Sequence, residues 1–108
     1  MRKDSRTGWL LLLIRAGPGH GYELRHALRD RALEVDRAVM YRSLREMEQM
    51  GWISSRWASS RAGPRRRVYD ITATGLQELD RIAREIELAR DAHDAFLQAY
   101  RTTVDGDA

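Results

Sequence analysis

The stretch Asp36–Thr72, DRAVMYRSLREMEQMGWISSRWASSRAGPRRRVYDIT, constrains this chain more than any other. Asp36 is a side chain suited to capping a helix, because its carboxylate accepts the free amide protons of the first turn. Residues 37–50 then carry Met40, Leu44 and Met47 at spacings of four and three, which places them on one apolar helical face. Gly51 stops that helix. Trp52–Trp57 alternates and is rich in β-favouring residues, so it predicts a strand, and Val68–Ile71 predicts a second. Between them Gly63-Pro64 marks a turn, flanked by Arg61, Arg65, Arg66 and Arg67. The order is helix, strand, basic turn, strand. It predicts a mainly α fold with a small two-stranded β-wing: a winged helix-turn-helix.

The face of this helix opposite the methionines carries Ala38, Arg42, Arg45 and Gln49, with Val39 and Tyr41 on its flanks. Arginine makes paired hydrogen bonds to guanine O6 and N7, and Ala or Val touches thymine methyls. A tyrosine hydroxyl suits a phosphate. An arginine-dense hairpin buries nothing and repels itself, so phosphates or a minor groove are its natural partners. Arg37, Ala38, Val39, Tyr41, Arg42, Arg45, Arg61, Arg65, Arg66 and Arg67 are therefore the candidate DNA-binding residues. An ordinary amphipathic helix with a solvated basic face accounts for the helix taken alone; the arginines of the turn shift the balance toward double-stranded DNA.

Upstream, residues 1–6 are polar and predict a flexible arm, whose Arg2, Lys3 and Arg6 could reach phosphates. Trp9–Ala16 contains WLLLLI, apolar on nearly every face, which predicts a helix buried on two sides. Six apolar residues fall short of the roughly 7–15 of a signal-peptide core and of the roughly 20 of a membrane span. A soluble, cytoplasmic protein is expected, in keeping with the absence of cysteine. Gly17-Pro18-Gly19 breaks the chain, and a second helix follows from His20 or Gly21 to Ala32, with His20 as a cap or surface group.

Downstream, Thr72 caps a fourth helix reaching about Thr103. Leu79, Ile82, Ile86, Ala89, His93, Phe96 and Tyr100 recur at alternating spacings of three and four, a heptad seam. An apolar stripe of this length needs covering, and a symmetric homodimer is the economical cover. The expected interface comprises that seam with Trp9, Leu12 and Leu13 of the first helix. The chain thus divides into a DNA-binding domain, residues 1–72, and a dimerisation helix with a short tail, residues 73–108. Charge follows the same division: residues 1–71 carry a surplus of seven positive charges and residues 72–108 a surplus of four negative, within a net +3.

No GxxxxGK[ST] loop or GxSxG elbow is present, the three histidines lack metal-binding helical spacing, and carboxylates are scattered. Neither an enzyme nor a cofactor or metal site is expected. A second class remains open: a winged-helix module whose basic wing meets an acidic protein. A third is a chain that chiefly sequesters a small molecule.

Three blocks carry a family resemblance: LLLLIRAGPGHGYELRHAL, MYRSLREMEQMGWISSRW and GPRRRVYDITATG. In this order and spacing, over roughly residues 9–76, the chain resembles the PadR family of bacterial transcriptional regulators. The resemblance implies homodimeric repressors on palindromic operators, often their own promoters. It implies DNA contact by Tyr41, which with Met40 matches the family's Leu-Tyr pair, and a basic wing at Arg65–Arg67. It also implies dimerisation through the helix from Ala73 onward, as in the small single-helix subfamily, some members of which enclose a pore for flat aromatic drugs. Trp9 and Phe96 are candidates to line such a pocket for a small hydrophobic or aromatic effector. Where the family has a Pro-Gly-Thr-like run before the pair, this chain has Arg37-Ala38-Val39, which exchanges a hydroxyl for a methyl contact and implies a different preferred operator.

Overall fold

A computed structural model describes residues 3–17, 19–60 and 63–106. In chain order it contains α1 (Lys3–Ala16), β1 (Gly19–His20), α2 (Gly21–Asp30), α3 (Arg37–Gln49), β2 (Ile53–Ser60), β3 (Gly63–Ile71) and α4 (Ala73–Gly106). The three strands form one antiparallel sheet in the order β1-β3-β2. Helices 1 to 3 and the start of α4 enclose a core of Leu10, Leu11, Ile14, Leu24, Leu28, Met40, Leu44 and Met47, closed by Ile53 and Tyr69 from the sheet and Leu79 and Ile82 from α4.

Helix 3 follows its sequence signals closely. The Asp36 carboxylate accepts hydrogen bonds from the Ala38 and Val39 amides at 2.9 and 3.3 Å. Its far end closes with the Trp52 amide donating to the Met47 carbonyl at 3.0 Å. That closure needs a left-handed residue, which Gly51 supplies at φ +78°. Helix 2 closes in the same way, the Leu33 amide donating to the Leu28 carbonyl at 2.9 Å, but here Ala32 occupies the left-handed position at φ 57°.

Four features depart from the sequence expectations. The wing strands are longer than Trp52–Trp57 and Val68–Ile71, so Arg65, Arg66 and Arg67 lie within β3 and not in the turn. Cross-strand pairing, running from Ile53 opposite Ile71 to Ser60 opposite Gly63, extends strands whose composition alone is too polar to signal them. The sheet has a third strand, because Gly19 and His20 pair with Tyr69 and Val68. Of residues 1–6, expected as a flexible arm, residues 3–6 belong to α1 and residues 1–2 lie outside the described residues: the Arg6 Nε donates to Ser43 Oγ at 2.8 Å, on the buried side of α3. Finally, Leu79 and Ile82, expected in a subunit interface, are buried at 8% and 6% exposure in the chain's own core. Helix 1 covers them, and Gly8 packs against Ile82 so closely that a Cβ there would lie 3.1 Å from Ile82 Cγ2.

The remainder of α4 is covered by nothing in its own chain. Every residue from 83 to 106 is exposed. The helix has 34 residues, about 51 Å at 1.5 Å per residue, and gives the molecule its long dimension of 68 Å.

Candidate nucleic-acid interface

Helix 3 is divided by its own periodicity. Met40, Leu44 and Met47 are buried to 1% exposure or less. On the other side Arg37, Ala38, Arg42, Arg45 and Gln49 are exposed, with Val39 and Tyr41 half-buried at the margins. The structure therefore brings together on one surface the six candidates of α3. The Arg37 guanidinium lies 5.7 Å from the centre of the Tyr41 ring, a cation–π arrangement that orients it along the helix.

Tyr41 is fixed by the start of α2. A Cβ on Gly21 would fall 2.3 Å from the Tyr41 hydroxyl oxygen, so no larger residue fits beside the ring. Gly21 thus gives the HGYEL motif a packing reason: it lets α3 and α2 approach through an aromatic ring. His20, immediately before it, caps α2 with its Nδ1 accepting from the Glu23 amide at 3.4 Å, and its Nε2 lies 2.7 Å from the Glu23 carboxylate. That nitrogen is also 2.9 Å from Arg66 Nη1, so the strand arginine approaches the same corner.

In β3 the two-residue alternation puts Arg65, Arg67 and Tyr69 on one face and Arg66, Val68 and Asp70 on the other. Arg67 is held on the α3 side. Its Nε donates to Ser55 Oγ at 2.7 Å, its Nη2 lies 3.4 Å from Glu48 Oε2, and its guanidinium sits 5.4 Å from the centre of the Trp57 ring. The Ser55 hydroxyl in turn donates to Glu48. Arg65, Arg66 and Arg67 are all exposed; Arg61 lies outside the described residues.

Between α3, the start of α2 and the sheet runs an open groove of about 900 Å³. Its walls include Tyr22, Tyr41, Trp57, Arg45, Glu48 and Arg67, with Tyr69 at its base. Burial pushes the Tyr69 hydroxyl above the usual tyrosine pKa of 10.0, opposed by the nearby positive charge of Arg67. His20, Glu48, Ser55 and Trp57 were not among the sequence candidates. The strand signal in WISSRW was legible, and with the correct register it would have placed Ser55 and Trp57 beside Arg67. Glu48, one turn before Gly51, gave no signal of its own.

The candidate interface residues are divided by the fold. Leu12 is 46% exposed on α1, while Trp9 and Leu13 are half-buried against the core, with the Arg31 guanidinium 5.7 Å from the Trp9 ring. Ile86, Phe96 and Tyr100 are exposed at 57%, 68% and 57%, and Ala89 and His93 lie exposed between them. Trp9 and Phe96 are not brought together within one chain: Phe96 stands about 21 Å beyond Ile82 along the helix axis. No helix among the described residues is long and apolar enough to cross a membrane.

The backbone has counterparts among solved structures. A PadR-like transcriptional regulator from Bacillus cereus is 27% identical, with a TM-score of 0.75 over 85% of this chain and 90% of its own. A PadR family transcriptional regulator from Eggerthella lenta is 25% identical, with a TM-score of 0.72 over 85% and 84%. A PadR family regulator from Clostridium difficile, at 24% identity, shares the fold with a TM-score of 0.78 over 85% and 97%. No curated protein matches the chain by sequence. The family model described as the transcriptional regulator PadR-like family matches residues 10–81, which takes in α2, α3, the whole sheet and the buried start of α4. The chain belongs to the PadR-like family of DNA-binding transcriptional regulators.

Proposed function

We propose that the protein is a cytoplasmic, homodimeric repressor that binds a palindromic operator and is released by a small hydrophobic or aromatic molecule. The observation that carries it is the presence of two exposed surfaces on one chain: the outer face of Arg37–Gln49 with its arginine strand, and the uncovered stripe of α4. Residues 1–72 supply the DNA-binding unit. Residues 73–108 supply dimerisation, with their first turns anchored in the core and Ile86, Ala89, His93, Phe96 and Tyr100 left for a partner. Trp9, Leu12 and Leu13 flank that interface. Arg42 and Arg45 read base edges, Ala38 and Val39 touch thymine methyls, Tyr41 with Arg37 meets phosphate, and Arg61, Arg65 and Arg66 reach the backbone beside the wing. Trp9 of one protomer and Phe96 of its partner line the effector pocket, so that a bound ring changes the separation of the two reading helices.

In vitro selection of bound duplexes from a random pool tests this directly. A palindrome with half-sites about 34–36 Å apart is expected, since two recognition helices must meet one face of the DNA. Binding should weaken steeply with salt, each neutralised phosphate contributing about 0.9 to the log–log slope. Asymmetric selected sites, or capture of an acidic protein with no duplex preference, would overturn the proposal.

A further inference from the structure

Arginines near DNA are ordinarily counted as phosphate ligands. In this wing three are already engaged: Arg56 lies 3.5 Å from Asp70, Arg66 lies 2.9 Å from His20, and Arg67 has the most partners. Arg67 is held by Ser55 at 2.7 Å, by Glu48 at 3.4 Å and by the Trp57 ring at 5.4 Å, and Ser55 also donates to Glu48. These four residues come from three elements: Glu48 from the last turn of α3, Ser55 and Trp57 from β2, and Arg67 from β3. Register places Trp57 directly opposite Arg67 and Ser55 two residues along on the same face. The contacts therefore tie both strands of the wing to the end of the recognition helix. They also place a carboxylate, Glu48, in the wall of a groove whose other charged lining residues are Arg45, Arg66 and Arg67, among the aromatic rings of Tyr22, Tyr41, Trp57 and Tyr69. A carboxylate there opposes a polyanion, and its contacts are with the wing itself.

We propose that Glu48 is a positioning and specificity-determining residue. It keeps Arg67 on the protein side of the interface, so that this arginine sets the angle between wing and α3 and neutralises no phosphate. Arg65 and Arg66 supply the wing's phosphate contacts; Arg66 meets His20 at 2.9 Å, in the corner that also holds the Glu23 carboxylate, but neither is held by Glu48 among the described contacts. The proposal rests on the DNA-binding role above, and concerns which charge does what within it.

The test compares wild type, Glu48→Gln, Arg67→Gln and the double variant. Each is titrated across a salt series with a selected operator duplex and with a mixed-sequence duplex. Glu48→Gln releases Arg67 toward the DNA. Its salt slope should steepen by about 0.9, the increment for one further phosphate. Mixed-sequence affinity should rise about five- to tenfold, and the preference for the operator should fall by at least as much. Arg67→Gln should lower operator affinity about fivefold with its slope unchanged, because no phosphate contact is lost. The double variant should return to the wild-type slope. An unchanged slope in Glu48→Gln, or a slope shallower by about 0.9 in Arg67→Gln alone, overturns the proposal. A second measurement needs no DNA. The Arg67 side-chain protons should be shifted upfield in the NMR spectrum by the Trp57 ring, and Glu48→Gln should diminish that shift. Unshifted protons in the wild type also overturn it. If wild type binds neither duplex, the DNA-binding role falls; if it binds both and the slopes ignore Glu48, only this proposal falls.

Discussion

The two parts of α4 carry one sequence pattern and meet two fates. Leu79 and Ile82 are 8% and 6% exposed, whereas Ile86, Phe96 and Tyr100, continuing the same three-and-four spacing, are 57% to 68% exposed. The difference lies entirely in what stands opposite. Helix 1 covers the first turns and ends; beyond it the stripe faces solvent. Periodicity states that a surface is to be buried, and is silent on whether the same chain buries it. The start of α4 is thus part of the winged body, and the rest is an arm. Substitutions in the two should differ in whether their effect depends on protein concentration.

The largest effect belongs to the body. Leu79→Ala empties a core position and should cost about 2–5 kcal/mol, the usual range for a large-to-small core change. Denaturant titration should show the midpoint falling equally at low and high protein concentration. A loss that vanished at high concentration would place Leu79 in the subunit interface after all.

Phe96→Asp is the matching change in the arm. It should leave the secondary structure intact, because the side chain touches nothing in its own chain that holds the fold. It should weaken self-association at least tenfold, about 1.4 kcal/mol, by placing a carboxylate in an apolar seam. Sedimentation equilibrium or concentration-dependent light scattering reads this, and an unshifted association constant would remove Phe96 from the interface.

The contrast also explains what was legible beforehand. Asp36, the Met40–Leu44–Met47 face and Gly51 define α3 to within a residue, because cap, stripe and stop agree locally. The sheet was harder. Gly19 and His20 have no strand propensity, and only pairing with Tyr69 and Val68 makes them a strand. The polar half of each wing strand is likewise held by its partner, not by its composition. Residues 3–6, part of what reads as an arm over residues 1–6, are helical, and Arg6 reaches Ser43, 37 positions along the chain. The exposed face of α3 was legible from helical period alone. The Glu48–Ser55–Arg67 contacts were not, since they depend on strand register and on how the sheet meets α3.

A gain of stability confined to the body sharpens the comparison further. Ala32 sits at φ 57°, the position that Gly51 fills at the end of α3. A left-handed conformation costs an L-residue about 1–2 kcal/mol, and the greater unfolded-state freedom of glycine offsets part of that. Ala32→Gly should therefore stabilise the fold by about 0.5–1 kcal/mol, at every protein concentration and with self-association unchanged. Thermal melts at two concentrations check both halves of that statement, and a destabilised variant would mean that the Ala32 methyl makes contacts worth more than its strain.

The smallest effect is set by pH. Burial raises the Tyr69 pKa above 10.0, so the folded chain holds this proton more tightly than the unfolded chain does. The stability linked to the neutral hydroxyl is complete below that value and is lost as pH rises past it. Wild type should therefore lose stability in alkali more steeply than Tyr69→Phe, which has no proton to release. Arg67 opposes the shift by attracting the phenolate. Arg67→Gln should accordingly leave the onset of the loss unchanged but extend it to still higher pH, making the ionised form costlier in the fold. Because Tyr69 lies in the body, the pH profiles should superimpose across protein concentrations; divergence between them would show that α4's exposed arm and the sheet respond as one unit.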